Sequence, residues 1–212
     1  MLQGEYAKAH AELGRAQAIT ETSIGKDAPF FAQIVLHRGR VFLRERQYEL
    51  AREHIEQAMA INVEAFDADH AQLAYTRTIM GELHRRQGNY DKARAGLEKA
   101  VDSLEKSQSR WLWAQALTEL GTTHLKAGDA PAALRPLEQA VATLESRGKN
   151  TRPKELAEAR FALGRALWAS GQELSRAHAL VSQARETFAA IGKDQRQDME
   201  EAEIWLQQHP TQ

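Results

Sequence analysis

Residues 81–100 read GELHRRQGNYDKARAGLEKA, and their order of residue types recurs along the chain. Two amphipathic segments meet here at Gln87-Gly88-Asn89. The positions that recur are Gly81, His84, Gly88, Tyr90, Ala93, Leu97 and Ala100. Ala93, Leu97 and Ala100 stand at i, i+4 and i+7, which puts them on one face of a helix. Gly81 lies inside the preceding helix, where glycine costs about 1 kcal/mol against alanine. A costly residue that returns at one position of a pattern points to close approach of two helices.

Moving outward, Gly4, Tyr6, Ala9, Leu13 and Ala16 repeat the second half of this pattern, without its first half. A complete unit follows, with Gly39, Phe42, Tyr48, Ala51, Ile55 and Ala58, and with Arg46 where the turn glycine would stand. After the quoted stretch come Gly121, His124, Gly128, Ala133, Leu137 and Ala140. The last unit has Gly164, Leu167, Gly171, Ala177, Val181 and Ala184, with one extra residue in its turn. Asp27 before Ala28-Pro29, Asn89, Ser109, Asp129 and Thr151 are candidate helix N-caps. Gly192 can end a helix, and Asp194 with Gln197 resembles a capping box. Pro136, well inside a helix, is expected to kink it.

The pattern divides the 212 residues into a half-unit helix at 1–22, full units at 28–62, 67–106, 109–147 and 152–190, and an end helix at 194–208. That end helix lines up Met199, Ala202, Trp205 and Leu206 in one apolar stripe, as the cap of a repeat array requires. The expected fold is all-α: a single domain of about ten helices, paired antiparallel and stacked into a right-handed superhelical solenoid. The first helix leaves apolar surface open at the N-terminal end. Either the chain is part of a longer protein, or it pairs through that end into a homo-oligomer.

Composition narrows the function. A 42% hydrophobic and 27% charged chain is ordinary for a folded protein, and 5 Pro with 13 Gly leave little room for a long disordered linker. A formal net charge of -1 argues against a nucleic-acid binder. With no cysteine, disulfides, thiol catalysis and cysteine zinc sites are excluded. The opening residues MLQGEYAKAH lack the apolar core of a signal peptide. No segment approaches about 18 uninterrupted apolar residues, so no membrane span is expected. Together these suggest a cytoplasmic location.

The recurring elements resemble the tetratricopeptide repeat: a first-helix glycine, a large residue three later, a turn glycine, then Ala, Leu and Ala in the second helix. The unit glycines lie 42, 40 and 43 residues apart (39 to 81, 81 to 121, 121 to 164), against a usual period of about 34. This longer spacing is similar to the repeats of kinesin light chains and of many bacterial signalling proteins. Longer helices or longer loops, such as residues 62–69, would absorb the excess. A weaker resemblance concerns RPKELAEARFALGRALW (152–168), ARETFAAIG (184–192) and AEIWLQQHP (202–210). These look like the C-terminal repeat regions of bacterial Ser/Thr protein kinases, although the chain carries no kinase motif.

The tetratricopeptide resemblance implies a partner peptide held in a concave groove lined by the first helix of each pair. Counting from each unit glycine, the groove stripe is Gln33, Leu36, Arg40, Leu43 and Arg44; then Tyr75, Thr78, Glu82, Arg85 and Arg86. The later units give Gln115, Thr118, Thr122, Leu125 and Lys126; then Glu158, Phe161, Arg165, Trp168 and Ala169. The core candidates for contact are Gln33, Leu36, Arg40, Arg44, Tyr75, Arg85, Arg86, Gln115, Thr122, Lys126, Phe161, Arg165 and Trp168. Six cations against Glu82 and Glu158 suit an acidic or C-terminal carboxylate peptide. Phe161 and Trp168 offer an aromatic anchor. The competing reading is solvated arginines, some paired at i, i+4 as Glu82 and Arg86 could be. The asparagine-lysine clamp of chaperone-binding arrays is missing from these positions.

Nothing in the sequence assembles a catalytic or metal site, and no cofactor is implied. His84 and His124 share a repeat position that is filled by a packing residue. His37, His54, His70 and His178 lack a partner at helical zinc spacing. Trp111 and Trp113 diverge by about 200° on a helix, so only one can be core; the other is either exposed for contact or covers a loop. Glu200, Glu201 and Glu203 read as a solvated face. The function expected is a non-enzymatic protein-interaction module of a bacterial signalling protein, with a protein or peptide partner and neither nucleic acid nor membrane. A self-associating scaffold and a sensor of a small anionic or peptide ligand are the alternatives.

Overall fold

The computed structural model describes residues 2–210, with side chains from Tyr6 onward except Lys149 and Asp194. Among them are ten α-helices: α1 Leu2–Ile24, α2 Pro29–Arg44, α3 Tyr48–Ala65, α4 Ala71–Arg86, α5 Tyr90–Glu105, α6 Arg110–Lys126, α7 Ala130–Glu145, α8 Pro153–Ala169, α9 Leu174–Ile191 and α10 Arg196–Gln208. They gather into two compact units, Met1–Ser107 and Gln108–Gln212. The class is all-α, built of helix pairs.

Four pairs repeat one packing device. A Cβ built on Gly39 would lie 2.9 Å from Ile55, on Gly81 2.5 Å from Leu97, and on Gly121 2.4 Å from Leu137. On Gly164 it would lie 2.7 Å from both the Ala177 carbonyl oxygen and Val181. Separations this short cannot hold a methyl group. The missing side chain is what lets the second helix come close enough to bury Ile55, Leu97, Leu137 and Val181 completely. Burying one such side chain is worth about 1.5–3 kcal/mol, more than glycine costs a helix.

The turns repeat as well. In α4–α5 Gly88 takes φ +79°, and the Asn89 N–H donates to the His84 carbonyl at 2.9 Å. Arg46 makes the same turn between α2 and α3 at φ +61°, its next N–H, that of Gln47, donating to Phe42 O. A residue with a Cβ is strained there by about 1–2 kcal/mol, so the contacts on either side of the turn impose it. The extra residue of the last unit falls at Glu173, also left-handed at φ +42°. Extra length in the first complete repeat, 28–62, goes into α3, which runs 18 residues to Ala65. There Asn62, fully buried, donates to Thr76 Oγ1 at 2.9 Å and ties α3 to α4.

Several helix ends differ from expectation. Asp129 does cap α7, accepting from the Ala132 N–H at 3.1 Å. Ala28, not Asp27, is the N-cap of α2, and Asn89 makes no side-chain cap bond. Arg152, not Thr151, precedes α8; the Thr151 hydroxyl instead donates to Leu144 O at 2.9 Å. His70, unforeseen as a cap, accepts from the Gln72 N–H. The capping box at Asp194 lies outside the described side chains, and α10 starts at Arg196 after a short 3-10 turn. α7 continues through Pro136, whose ring is buried in the core.

The packing device predicts opposite signs for two glycine-to-alanine changes. Gly96 sits inside α5, where an added Cβ would meet nothing within 4 Å beyond its own helix backbone, so Gly96→Ala should raise stability by up to about 1 kcal/mol. Gly164→Ala drives a methyl into a backbone carbonyl and should lower it by about 1–3 kcal/mol. Urea unfolding of the two variants checks this, and shifts of the same sign would refute it.

Candidate functional site

In the first unit, the candidate residues come from α2 and α4. Arg40 donates from Nη1 to the Tyr75 hydroxyl at 2.6 Å, its guanidinium 5.9 Å from the ring centre. Glu82, one turn before Arg86, accepts from Arg86 Nε at 2.8 Å. Burial pushes the Glu82 carboxyl up, but Arg86, Arg85 and Arg40, in that order, outweigh it and hold the group below the usual carboxylate value. Arg86 thus bonds the carboxylate directly, Arg85 and Arg40 act on it through their charge, and the i, i+4 pair weighed from sequence is formed. Arg44 is exposed at the end of α2. His37 stands one turn before Arg40; burial first and then that arginine keep its pKa low.

Two candidates of this stripe are not accessible. Leu36 is 1% exposed and Tyr75 7%, and Leu43 and Thr78 are buried too. The first helix of a pair packs against helices on both sides, so its core sector is wider than a single stripe. Leu36 therefore belongs to the core, and Tyr75 offers only its hydroxyl, already held by Arg40. Gln33 is half-buried.

In the second unit, Gln115 and Thr122 are half-buried on α6, with Lys126 exposed at its end. Phe161, Arg165 and Trp168 lie together on α8, half-buried, on the side where the chain's own α10 packs. Phe161 and Met199 both pack on the buried cluster of Ala157, Ala184 and Phe188, and Trp168 meets Trp205 edge-on with ring centres 5.5 Å apart. His209 stacks on Trp205 at 4.3 Å. Burial depresses the pKa of Arg165, opposed by Glu201 of α10, and its guanidinium lies 5.4 Å from the Phe161 ring centre. Phe161 and Trp168 thus pack with α10 while each stays partly exposed. The stripe Ala202, Trp205 and Leu206 was legible, but not which rings it would cover.

Trp113 is buried, and Trp111 covers the start of α8, with the Arg152 guanidinium 4.1 Å from its ring centre. Burial lowers the His84 pKa, with Arg52 and Lys92 adding to the effect. Among the described residues no group of three His, Cys, Asp or Glu could hold a metal ion, and no helix is long and apolar enough to cross a membrane.

The sequence model of a family described as Tetratricopeptide repeat matches residues 30–106 and 79–146. Among solved structures, the chain is similar to BtubC (BKLC) from P. vanneervenii, at 19% identity and a TM-score of 0.69 over 90% of this chain and 76% of that one. It is similar to a putative kinesin light chain from Podosopora anserina with nearly identical TPR-like repeats, at 22% identity and 0.62 over 91% of both chains. A third is a Rap protein complexed with competence and sporulation factor, at 17% identity and 0.75 over 91% of this chain; this chain spans about half (51%) of it. These likenesses are of fold. No curated protein matches significantly.

The arginine-bound carboxylate predicts a pH signature. Because the Glu82 pKa is lowered in the folded state, its contribution is complete at neutral pH and is lost as pH falls through 4.5 towards the folded value. Glu82→Gln should cost about 1–3 kcal/mol at pH 7, and the gap to the parent should close in acid. Denaturant unfolding across pH 3–7 (a window of roughly that unfolded value, give or take two units) reads this; a gap independent of pH would refute it.

Proposed function

As the chain belongs to the tetratricopeptide repeat family, we propose that it is a non-enzymatic interaction module that holds an acidic peptide segment of a partner protein. The observation that carries this reading is the cation-rich face of α2 and α4, where Arg40, Arg44, Arg85 and Arg86 accompany a single carboxylate, Glu82. Glu82 holds the guanidinium of Arg86 and Tyr75 that of Arg40, which lowers the ordering cost of binding a further carboxylate. Arginine is suited to the task, since its planar fork binds carboxylates through two parallel hydrogen bonds.

On this reading the mechanism is passive. A partner segment is captured on a preformed surface and brought near an effector. The half-unit, four full units and end helix act as one repeat domain of a bacterial signalling protein in the cytoplasm. The resemblance of the last third to repeat regions of bacterial Ser/Thr kinases supports that setting. The similar fold of a Rap protein complexed with a factor supports ligand holding by such helices. Gln33, Gln115, Thr122 and Lys126 supply polar contacts at the edges of the two first-helix faces.

A fluorescent Glu-rich peptide, with a Gln-rich peptide of equal length as control, tests the reading. The acidic peptide should bind more tightly, and its affinity should fall steeply with salt. Arg40→Glu with Arg85→Glu should weaken it by more than tenfold (about 1.4 kcal/mol or more). Equal affinity for the two peptides, or indifference to charge reversal, would remove the proposal.

A further inference from the structure

The stripe counted from the unit glycines takes in Leu36 and Leu43, which are buried, and passes over His37, which is exposed. At about 100° per residue, His37 lies within about 60° of Gln33, Arg40 and Arg44 round α2. It stands in the middle of the side of α2 that reaches solvent. Four other histidines are engaged within the chain: His10 with Glu45, His54 with the Leu50 carbonyl, His70 with the Gln72 N–H and His209 with the Trp205 carbonyl. The His37 imidazole has no hydrogen-bond or ion-pair partner among the described residues.

Its surroundings disfavour a charge on it as long as the face is empty. Crowding by neighbouring atoms comes first, and the positive charge of Arg40 second. A carboxylate brought to Arg40 reverses the second cause. It cancels the repulsion and offers the imidazolium an acceptor. Residues at i and i+3 are neighbours on a helix surface, their Cβ atoms about 5–6 Å apart, so one carboxylate can meet both side chains. The other charged groups of this face are Arg44 on α2 and Glu82, Arg85 and Arg86 on α4, with Glu82 already bonded to Arg86. Elsewhere round α2, α1 sets His10 against Glu45 and Gln17 against Arg38, and α3 sets His54 against the Phe42 ring.

We infer that His37 is a further contact residue of this face, its imidazolium joining Arg40 in holding one carboxylate of the partner, so that binding takes up a proton. This role rests on the acidic-peptide reading and adds a dependence on pH to it. The sign follows from the two states. The free imidazole gives up its proton below the ordinary histidine value, and the bound one keeps it to higher pH. Affinity therefore rises as pH falls from about 7.5 to about 5.5, where glutamates, with a pKa of about 4.3, stay ionised. A single proton changes it by at most about tenfold per pH unit.

The test titrates the fluorescent Glu-rich peptide and its Gln-rich control onto the intact chain at both pH values and constant ionic strength, beside His37→Gln and His37→Arg. The parent should bind the Glu-rich peptide roughly three- to tenfold more tightly in acid. His37→Gln should keep the parent's neutral-pH affinity at both, and His37→Arg, charged throughout, should bind tightly at both. In the parent, the NMR titration of the His37 ring protons should move to higher pH when the peptide is bound, which a merely structural role would not produce. Preference for the Glu-rich peptide with no gain in acid, with a gain that survives His37→Gln, or with an unmoved ring titration overturns the role of His37 and leaves the acidic-peptide reading standing. Equal affinity for the two peptides at both pH values overturns that reading, and the role of His37 with it.

Discussion

A glycine of one helix set against a branched side chain of the next is the contact on which the rest depends. It recurs at Gly39–Ile55, Gly81–Leu97, Gly121–Leu137 and Gly164–Val181. Each places a residue that weakens its own helix where any side chain would force the pair apart. The exchange is favourable because the large residue it admits is removed wholly from water. Close pairing also fixes the roll of the first helix about its axis. That roll decides which side chains of α2 and α4 share a surface, and so brings Arg40 beside Tyr75 and near Glu82 although 35 and more residues separate them.

The glycine recurrence made the fold legible. Its period, the turn at Gln87-Gly88-Asn89 and the triplets of the second helices are local patterns, and local patterns survive in a sequence. Even the irregular turn was readable, since Arg46 occupies a glycine position and adopts the glycine-like conformation. The candidate site was less legible. The i, i+4 pairing of Glu82 and Arg86 is local and could be weighed; the addition of Arg40 depends on how α2 lies on α4. Leu36 and Tyr75 sit at stripe positions yet are buried, because first helices are packed from two sides. The bond from Asn62 to Thr76 left no signal, since a buried asparagine and an exposed one read alike.

The second unit shows the same limit at longer range. Phe161 and Trp168 satisfy every sequence criterion for an exposed aromatic anchor. In the structure they share buried clusters with Met199, Trp205 and Leu206 of α10, from more than 30 residues away, a neighbour that no local pattern announces. The two first-helix faces thus differ in chemistry: that of the first unit is a charged cluster ordered around a carboxylate, and that of the second an aromatic cluster shared with the last helix.

A double-mutant cycle on Gly81 and Leu97 tests the central contact most directly. Gly81→Ala is measured by urea unfolding in the parent and in a Leu97→Ala background, where the space for a methyl group has been opened. If the glycine exists to admit the leucine, the alanine destabilises the parent but is neutral or stabilising beside Leu97→Ala. The coupling should then exceed about 1 kcal/mol. Effects that add to within about 0.5 kcal/mol would contradict the account, since residues that do not meet behave in that way.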